Sequence, residues 1–333
     1  MKSFAWIEPE DLPSAIAAGA QQGALFKAGG VDVADRMKEH LDEPSTLVNL
    51  RRLKDLDFVQ LEGGTLRLGP LVTLARLASD SLVQKAAGIL AEAASAAATP
   101  QIRNAATLGG NLAQRPRCWY FRKEEFHCRR KGGTTCFALG GDGSPGDGRS
   151  PQGGALQGQN EMHAVFDNDL CAIVHPSGTA TALSALSASL LLKGPSGDRT
   201  VAIDAFFVKP EVDVQRENVL RAGELIVEVR VPAGRKAGYV KLMEKQSFDW
   251  PLAEAAVTLG EDPRVVLGAA APVPWRSRAA EALLKGRTVD EKLAAAVARA
   301  AVEGARPLHH NGYKVPLLEA AVRRAALAAG ASS

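Results

Sequence analysis

All four cysteines of this chain are tied to one unusual stretch, and that stretch limits what the chain can be. Cys118, Cys128 and Cys136 follow one another through RCWYFRKEEFHCRRKGGTTC, and Cys171 stands just before His175-Pro176-Ser177. Nine, seven and thirty-four residues separate successive cysteines. Residues 113–171 show neither helical nor strand periodicity, so no apolar stripe is available to order them. Three readings stay open on chemistry alone. A 4Fe–4S cluster suits thiolates with basic neighbours, because such a cluster is anionic and nearby Arg and Lys stabilise it. Seven basic residues lie here: Arg115, Arg117, Arg122, Lys123, Arg129, Arg130 and Lys131, against Glu124 and Glu125. Zinc is the second reading, although ribbons and fingers use close cysteine pairs, which are absent. The third is four unrelated buried thiols.

Immediately before the cysteines comes a small-residue turn, Thr107-Leu108-Gly109-Gly110-Asn111. Glycines let a backbone approach a ligand closely and point N–H groups at anionic oxygens. A second such turn lies near the N-terminus. ALFKA reads as a strand, Gly29-Gly30 as a turn, and VDVADRMKEH as the start of a helix. A strand, a glycine turn and a helix N-terminus make an anion site, and equally an ordinary βα connection. Two turns of this kind suit a dinucleotide, which has both a pyrophosphate and a ring system to hold.

The totals exclude several classes. At 333 residues the chain predicts two or three domains. A net charge of +3 argues against a nucleic-acid binder. No apolar run reaches the ~20 residues that span a bilayer. The opening MKSFAWIEPEDLPSA breaks any signal-like apolar core with charge and proline. The expectation is a cytoplasmic protein, or a periplasmic one exported together with a signal-bearing partner.

Read in order, residues 1–60 predict a small α/β unit, with Asp11 capping a helix to Ala20. Residues 61–225 form a second part, carrying the cysteine-bearing insertion at about 113–171. Within it TLRL is a strand, Thr73 caps a helix, and Leu82 to Ala98 reads as one alanine-rich helix. The glycine-rich stretch 140–158 reads as a loop or lid. From 226 to 333 an α+β domain is expected. GELIVEVRVP is its half-buried strand, AGYVKLMEK and RVVLGAAAPVP are further strands of the same sheet, and Thr288 with Glu291 has capping-box spacing.

KAGGVDV at 27–33 and IRNAATLGGN at 102–111 resemble the paired flavin motifs of the FAD subunits of the xanthine dehydrogenase and molybdenum hydroxylase family, close to AGGT and RNxATxGGN. The resemblance spans nearly the whole chain. It implies an α+β fold: a two-part, PCMH-like FAD-binding domain, then a smaller α+β domain of the carbon monoxide dehydrogenase flavoprotein type. A minority of the family insert cysteines after the second motif and carry an extra 4Fe–4S cluster. The cysteine run here resembles those members, aldehyde oxidoreductase subunits most closely and 4-hydroxybenzoyl-CoA reductase subunits next.

By that resemblance Phe26, Lys27, Ala28, Gly29, Gly30, Val31, Asp32 and Val33 line the adenine-side and pyrophosphate loop. Ala106, Thr107, Gly109, Gly110 and Asn111 form the second flavin loop. Ser177 matches the serine of a Ser-Asp pair, and Ile226 and Lys241 match positions near the isoalloxazine. Gly178 stands where Asp is usual, so one polar contact is absent or moved to Thr179; Val31 replaces a common Thr. Cys118, Cys128, Cys136 and Cys171 become the cluster ligands, with His127 or His175 as the nearest alternatives to the fourth. The implied role is electron transfer through FAD, with no substrate acid or base here. The implied partners are a large molybdenum-cofactor subunit and a small subunit with 2Fe–2S clusters, in a heterotrimer or its dimer. The rivals are a self-contained FAD oxidoreductase and a zinc-stabilised binding module.

Overall fold

The computed structural model describes residues 1–140, 158–245 and 248–331. The chain divides into two compact units, Met1–Gln114 with Leu186–Phe206 and Asn218–Arg235, and Arg115–Ala185 with Phe207–Glu217 and Lys236–Ser333. The expected lid at 140–158 falls almost wholly outside the described residues. No helix among the described residues is long and apolar enough to cross a membrane.

The first unit holds two sheets. A three-stranded parallel sheet runs in the order Ala5–Ile7, Thr46–Asn49, Ala24–Lys27. Its helix Leu12–Gly19 starts at Asp11, whose carboxylate accepts from the Ser14 N–H at 2.8 Å while Ser14 reaches back, a reciprocal cap. Ala15 and Ala18 of that helix pack on Val48, Leu50, Leu53, Leu56 and Leu71. An antiparallel five-stranded sheet follows in the order Val59–Glu62, Thr65–Leu68, Leu225–Pro232, Ser189–Gly194, Gly197–Ala202.

Two sequence expectations are corrected in this unit. Strand Leu225–Pro232 pairs with Thr65–Leu68 and with Ser189–Gly194, not with the strands that follow it. Neighbours on both sides bury it almost throughout, although its sequence alternates. The alanine-rich run is also not one helix. It forms Ser81–Ala86 and Gly88–Ser95, with Ala87 extended between them at φ −150° and ψ 57°. Helix propensity is a weak prior. Here it yields to the burial of Val83 and Ala86 on one segment and of Ile89, Leu90 and Ala94 on the next.

The second unit is built on an antiparallel sheet in the order Trp275–Arg276, Arg264–Gly268, Ala253–Thr258, Ala237–Leu242. Helix Lys314–Ala331 lays Leu318, Ala321, Val322, Ala325, Ala326 and Ala329 onto it, a helical-period stripe of small residues. The approach is close: a Cβ on Gly238 would strike the Ala325 carbonyl. Helix Glu291–Val302 is capped by Asp290, which accepts from Leu293 N–H at 2.7 Å, rather than by the expected Thr288. Helix Gly178–Ala185 is buried from Thr179 to its end. Among its described residues the cysteine segment holds short turns of helix and an isolated bridge between Cys128 and Thr135, in keeping with its lack of periodicity.

Candidate functional site

The first glycine turn adopts a form that only its sequence permits. Gly30 has φ 82° and caps helix Val31–Lys38 with no side-chain hydrogen bond. Left-handed backbone is cheap for glycine and strained for other residues. The first N–H groups of this helix therefore have no side-chain cap, and they carry the positive end of the helix dipole. Lys27 closes one flank: its Cε lies 2.8 Å from where a Gly30 Cβ would be, its ammonium donates to Asn49 at 3.3 Å and sits over the Trp6 ring. Burial pulls the Lys27 pKa down, and Arg51 adds to the effect. Asp32 pairs with Arg36 at 3.4 Å, and Arg36 also holds Asp42 at 2.8 Å. Phe26 is the penultimate residue of the strand ahead of the turn, and Ala28, Val31 and Val33 are half-buried around it.

The second motif is a helix start as much as a turn. Thr107 caps helix Leu108–Leu112, accepting from Gly110 N–H at 3.3 Å, while Gly109 N–H donates to the Pro70 carbonyl at 2.8 Å. A Cβ on Gly109 would meet Pro70 Cβ at 2.8 Å. A Cβ on Gly110 meets only Thr107 Oγ1, at 3.1 Å, so that face is otherwise open. Ala106 passes its carbonyl to Leu74 N–H at 2.9 Å, and Asn111 follows in the same helical turn. The structure brings the two motifs together, because the Gly29 backbone lies on the Ala105 carbonyl with no room for a side chain. Ile226, on strand Leu225–Pro232, is buried on the face opposite Leu225 and Val227.

In the second unit, Ser177 opens helix Gly178–Ala185. Its hydroxyl accepts from Ala180 N–H at 3.0 Å and lies 3.2 Å from Thr179 Oγ1. Gly178, where the resemblance leads one to expect Asp, sits against the ends of two side chains. A Cβ there would stand 2.9 Å from the Tyr239 hydroxyl and 3.0 Å from Glu254 Oε1. Glu254 is a buried carboxyl, accepting from Tyr239 at 3.0 Å; burial pushes its pKa up while Lys241, paired across from it on the next strand, pulls it down.

The four cysteines come from separate places along the segment, and none is in a disulfide. Cys118, Cys128 and Cys136 each precede a short helical turn, and Cys171 lies outside any helix or strand. Cys136 and Cys171 share a hydrogen bond, and Cys118 feels both Cys171 and Cys128 electrostatically. Burial pushes the Cys118 thiol up to about 12, with those neighbours adding to it. The hydrogen bond from Cys136 pulls Cys171 below the usual thiol range, helped by Arg130, and raises Cys136 in turn. Among the described residues no group of three or more Cys, His, Asp or Glu side chains is arranged to hold a metal ion.

The basic residues divide in a way the sequence could not show. Arg130 is buried; burial works against its charge, but Cys171 and Glu217 outweigh it and raise its pKa. Its guanidinium donates to Glu217 at 2.6 Å, and Glu217 also takes Arg115 at 2.9 Å. Several others tie backbone instead: Arg122 to the Pro116 carbonyl at 2.7 Å, Arg129 to Thr134 and Leu170 at 2.7 and 2.9 Å, Lys131 to Lys123 at 2.5 Å.

Of the histidines weighed as alternative ligands, His175 packs edge-on to Phe207 at 4.4 Å and accepts from Ser177 N–H at 3.3 Å. Burial, then Arg130, lowers its pKa to about 3. The imidazole nearest a cysteine sulfur is one the sequence reading missed. His163 Nε2 lies 3.2 Å from Cys118 Sγ. Burial, then Lys314, lowers its pKa to about 4, so the ring is neutral. No motif announces a residue forty-five positions from its partner.

Residues 2–234 match the family described as the FAD binding domain in molybdopterin dehydrogenase, and residues 239–329 match the CO dehydrogenase flavoprotein C-terminal domain. The chain is similar to the aldehyde oxidoreductase FAD-binding subunit of Escherichia coli strain K12, 33% identical over 326 residues and 95% of each chain. It is also similar to the carbon monoxide dehydrogenase medium chain of Hydrogenophaga pseudoflava, 29% identical over 98% of this chain and 97% of that one. A solved carbon monoxide dehydrogenase from Hydrogenophaga pseudoflava, lacking the Mo-pyranopterin moiety of its cofactor, superposes with a TM-score of 0.73 at 27% identity, over 99% of this chain and 98% of that one.

Proposed function

The chain belongs to the family of FAD-binding subunits of molybdopterin dehydrogenases, and from that premise we propose that it serves an aldehyde-oxidising complex and carries a 4Fe–4S cluster of its own on Cys118, Cys128, Cys136 and Cys171. It is the flavoprotein subunit of a molybdenum-containing oxidoreductase. The aldehyde assignment rests on the similarity to the Escherichia coli subunit along nearly the whole chain.

The observation that carries the cluster is the gathering of four free thiols, from positions spread over more than fifty residues, beside a buried guanidinium. Four neighbouring thiolates repel one another, so a site of this kind is stable when a cationic group replaces their protons. Arg130 offsets negative charge at Cys171, and Glu217 fixes that guanidinium in place.

FAD when bound supplies the redox chemistry, and the cluster would add a one-electron centre. The residues of this chain bind and orient. We assign the uncapped N–H groups after Gly30 to the pyrophosphate, since a helix N-terminus favours an anion. The open face of Gly110, with Thr107 and Asn111 beside it, belongs to the second flavin loop. Ile226, Ser177, Gly178 and Lys241 remain assigned to FAD by resemblance.

The relatives are named as a subunit and a medium chain. We assign this chain a large molybdenum-cofactor partner and a small 2Fe–2S partner. The test is the co-expressed complex, run by size exclusion with visible spectra and iron analysis of the peak. Flavin bands with a broad iron–sulfur absorbance, and about four irons on this subunit, are expected. Flavin without iron on this subunit removes the cluster and leaves the family assignment standing. Turnover of an aldehyde by the isolated chain would favour a self-contained enzyme instead.

A further inference from the structure

His163 reaches the cysteine site on a segment that other residues hold rigidly. Asn160 donates to the Ala138 carbonyl at 2.9 Å, just beyond Cys136, and its own carbonyl oxygen accepts from His310 N–H at 2.9 Å. Ala164 N–H donates to the Ala172 carbonyl at 2.8 Å, just beyond Cys171. The His163 carbonyl accepts from Lys314 at 2.9 Å and from Asn311 at 3.1 Å. The imidazole itself lies edge-on to Trp119, the residue after Cys118, with ring centroids 5.3 Å apart. Its Nε2 stands 3.2 Å from Cys118 Sγ, and its Nδ1 is buried with no hydrogen-bond partner among the described residues.

With Cys118 bound to iron, the direction of the hydrogen bond follows from the chemistry of the two partners. A neutral imidazole has one N–H and one bare nitrogen. A thiolate bound to iron has no proton and can only accept. The N–H therefore belongs on Nε2, and the bare nitrogen is the unpartnered Nδ1, which leaves no buried N–H unmet.

We infer that His163 is a positioning residue that donates its Nε2–H to the Cys118 sulfur and so raises the reduction potential of the cluster, an inference that rests on the cluster reading above. Reduction adds one electron and one negative charge. A donor aimed at a ligand sulfur stabilises that added charge and favours the reduced state.

The test compares the holo-complex with His163→Phe, which keeps a ring but no donor, and His163→Gln, which keeps an N–H. Iron content and flavin content are measured first, then the cluster midpoint by a redox titration followed by paramagnetic resonance. His163→Phe should shift the one-electron equilibrium toward the oxidised state about tenfold, about 59 mV downward, and His163→Gln should recover most of that. Loss of the cluster in His163→Phe alone, with His163→Gln retaining it, supports the same role. Equal midpoints in all three proteins overturn the inference. So do equal downward shifts in both variants, or loss of iron from both with the fold intact, which would make His163 a ligand. A wild-type complex without iron on this subunit is a different failure: it removes the cluster itself.

Discussion

The Gly29 backbone rests directly on the carbonyl of Ala105, so that any side chain at 29 would overlap that oxygen. This contact joins two motifs more than seventy residues apart in the chain. It also separates two kinds of glycine, one needed for packing and one for ligand approach.

Gly29→Ala should therefore destabilise the first unit by about 1–3 kcal/mol, because the added carbon meets backbone that cannot step aside. Gly110→Val meets only the Thr107 hydroxyl and should leave the fold intact while abolishing FAD binding. Denaturant unfolding and flavin content of the two variants check this. A folded Gly110→Val protein with full flavin would show that this turn does not face the cofactor.

Each of Cys118, Cys128, Cys136 and Cys171, replaced by Ser, should leave the cluster labile or absent, since a hard hydroxyl replaces a soft thiolate. Iron per subunit is the measurement. Full iron in Cys171→Ser, with loss in the other three, would assign the fourth ligand elsewhere.

Lys314→Met should destabilise the protein by about 3–5 kcal/mol. The Lys314 side chain is fully buried, and its ammonium donates to the carbonyls of Ala269 at 2.6 Å, His163 at 2.9 Å and Met162 at 3.3 Å. Methionine fills the space and takes the donor away from the Ala269 and Met162 carbonyls, while the His163 carbonyl keeps Asn311. Limited proteolysis should then cut first near residues 158–164. A denaturation midpoint within error of wild type would show that water meets those carbonyls at no cost.

Acid should weaken the five-stranded sheet through Glu228. Arg67 and Arg230 face each other across neighbouring strands, and Glu228 binds both, at 2.8 and 2.7 Å. The Arg67 hydrogen bond, reinforced by Arg230, lowers its pKa from 4.5 to about 2. A folded pKa below the unfolded one contributes stability that is complete above pH 4.5 and is lost as pH falls through about 2. Glu228→Gln should be less stable at neutral pH and should lose that part of the acid dependence. Parallel stability curves for the two proteins between pH 5 and 2 would show that Glu228 contributes nothing to it.

Much of this was legible in the sequence because the signals are local. A Gly30 that takes a left-handed turn, an Asp11 that caps its own helix and a Thr107 ahead of two glycines act within a few residues. Local geometry at such positions follows from backbone sterics and capping, whatever surrounds them. The family resemblance rested on the same local motifs, and the comparisons support it.

What the sequence determined by itself was therefore the identity of the motifs and the α+β class. What only tertiary structure decided was which of them meet. Strand Leu225–Pro232 has an alternating pattern that suits either sheet, and its neighbours chose the first. Gly178 has the Tyr239 hydroxyl and the Glu254 carboxyl against the place a Cβ would take, a pairing that no local pattern announces. His163 carries no motif at all; its place against Cys118 comes from Lys314, Asn311 and Asn160, drawn in from distant positions. The physical reason is range. Capping and turn preferences are settled within a turn of chain, whereas hydrogen bonds between buried polar groups depend on partners that only the folded core brings within 3 Å or so.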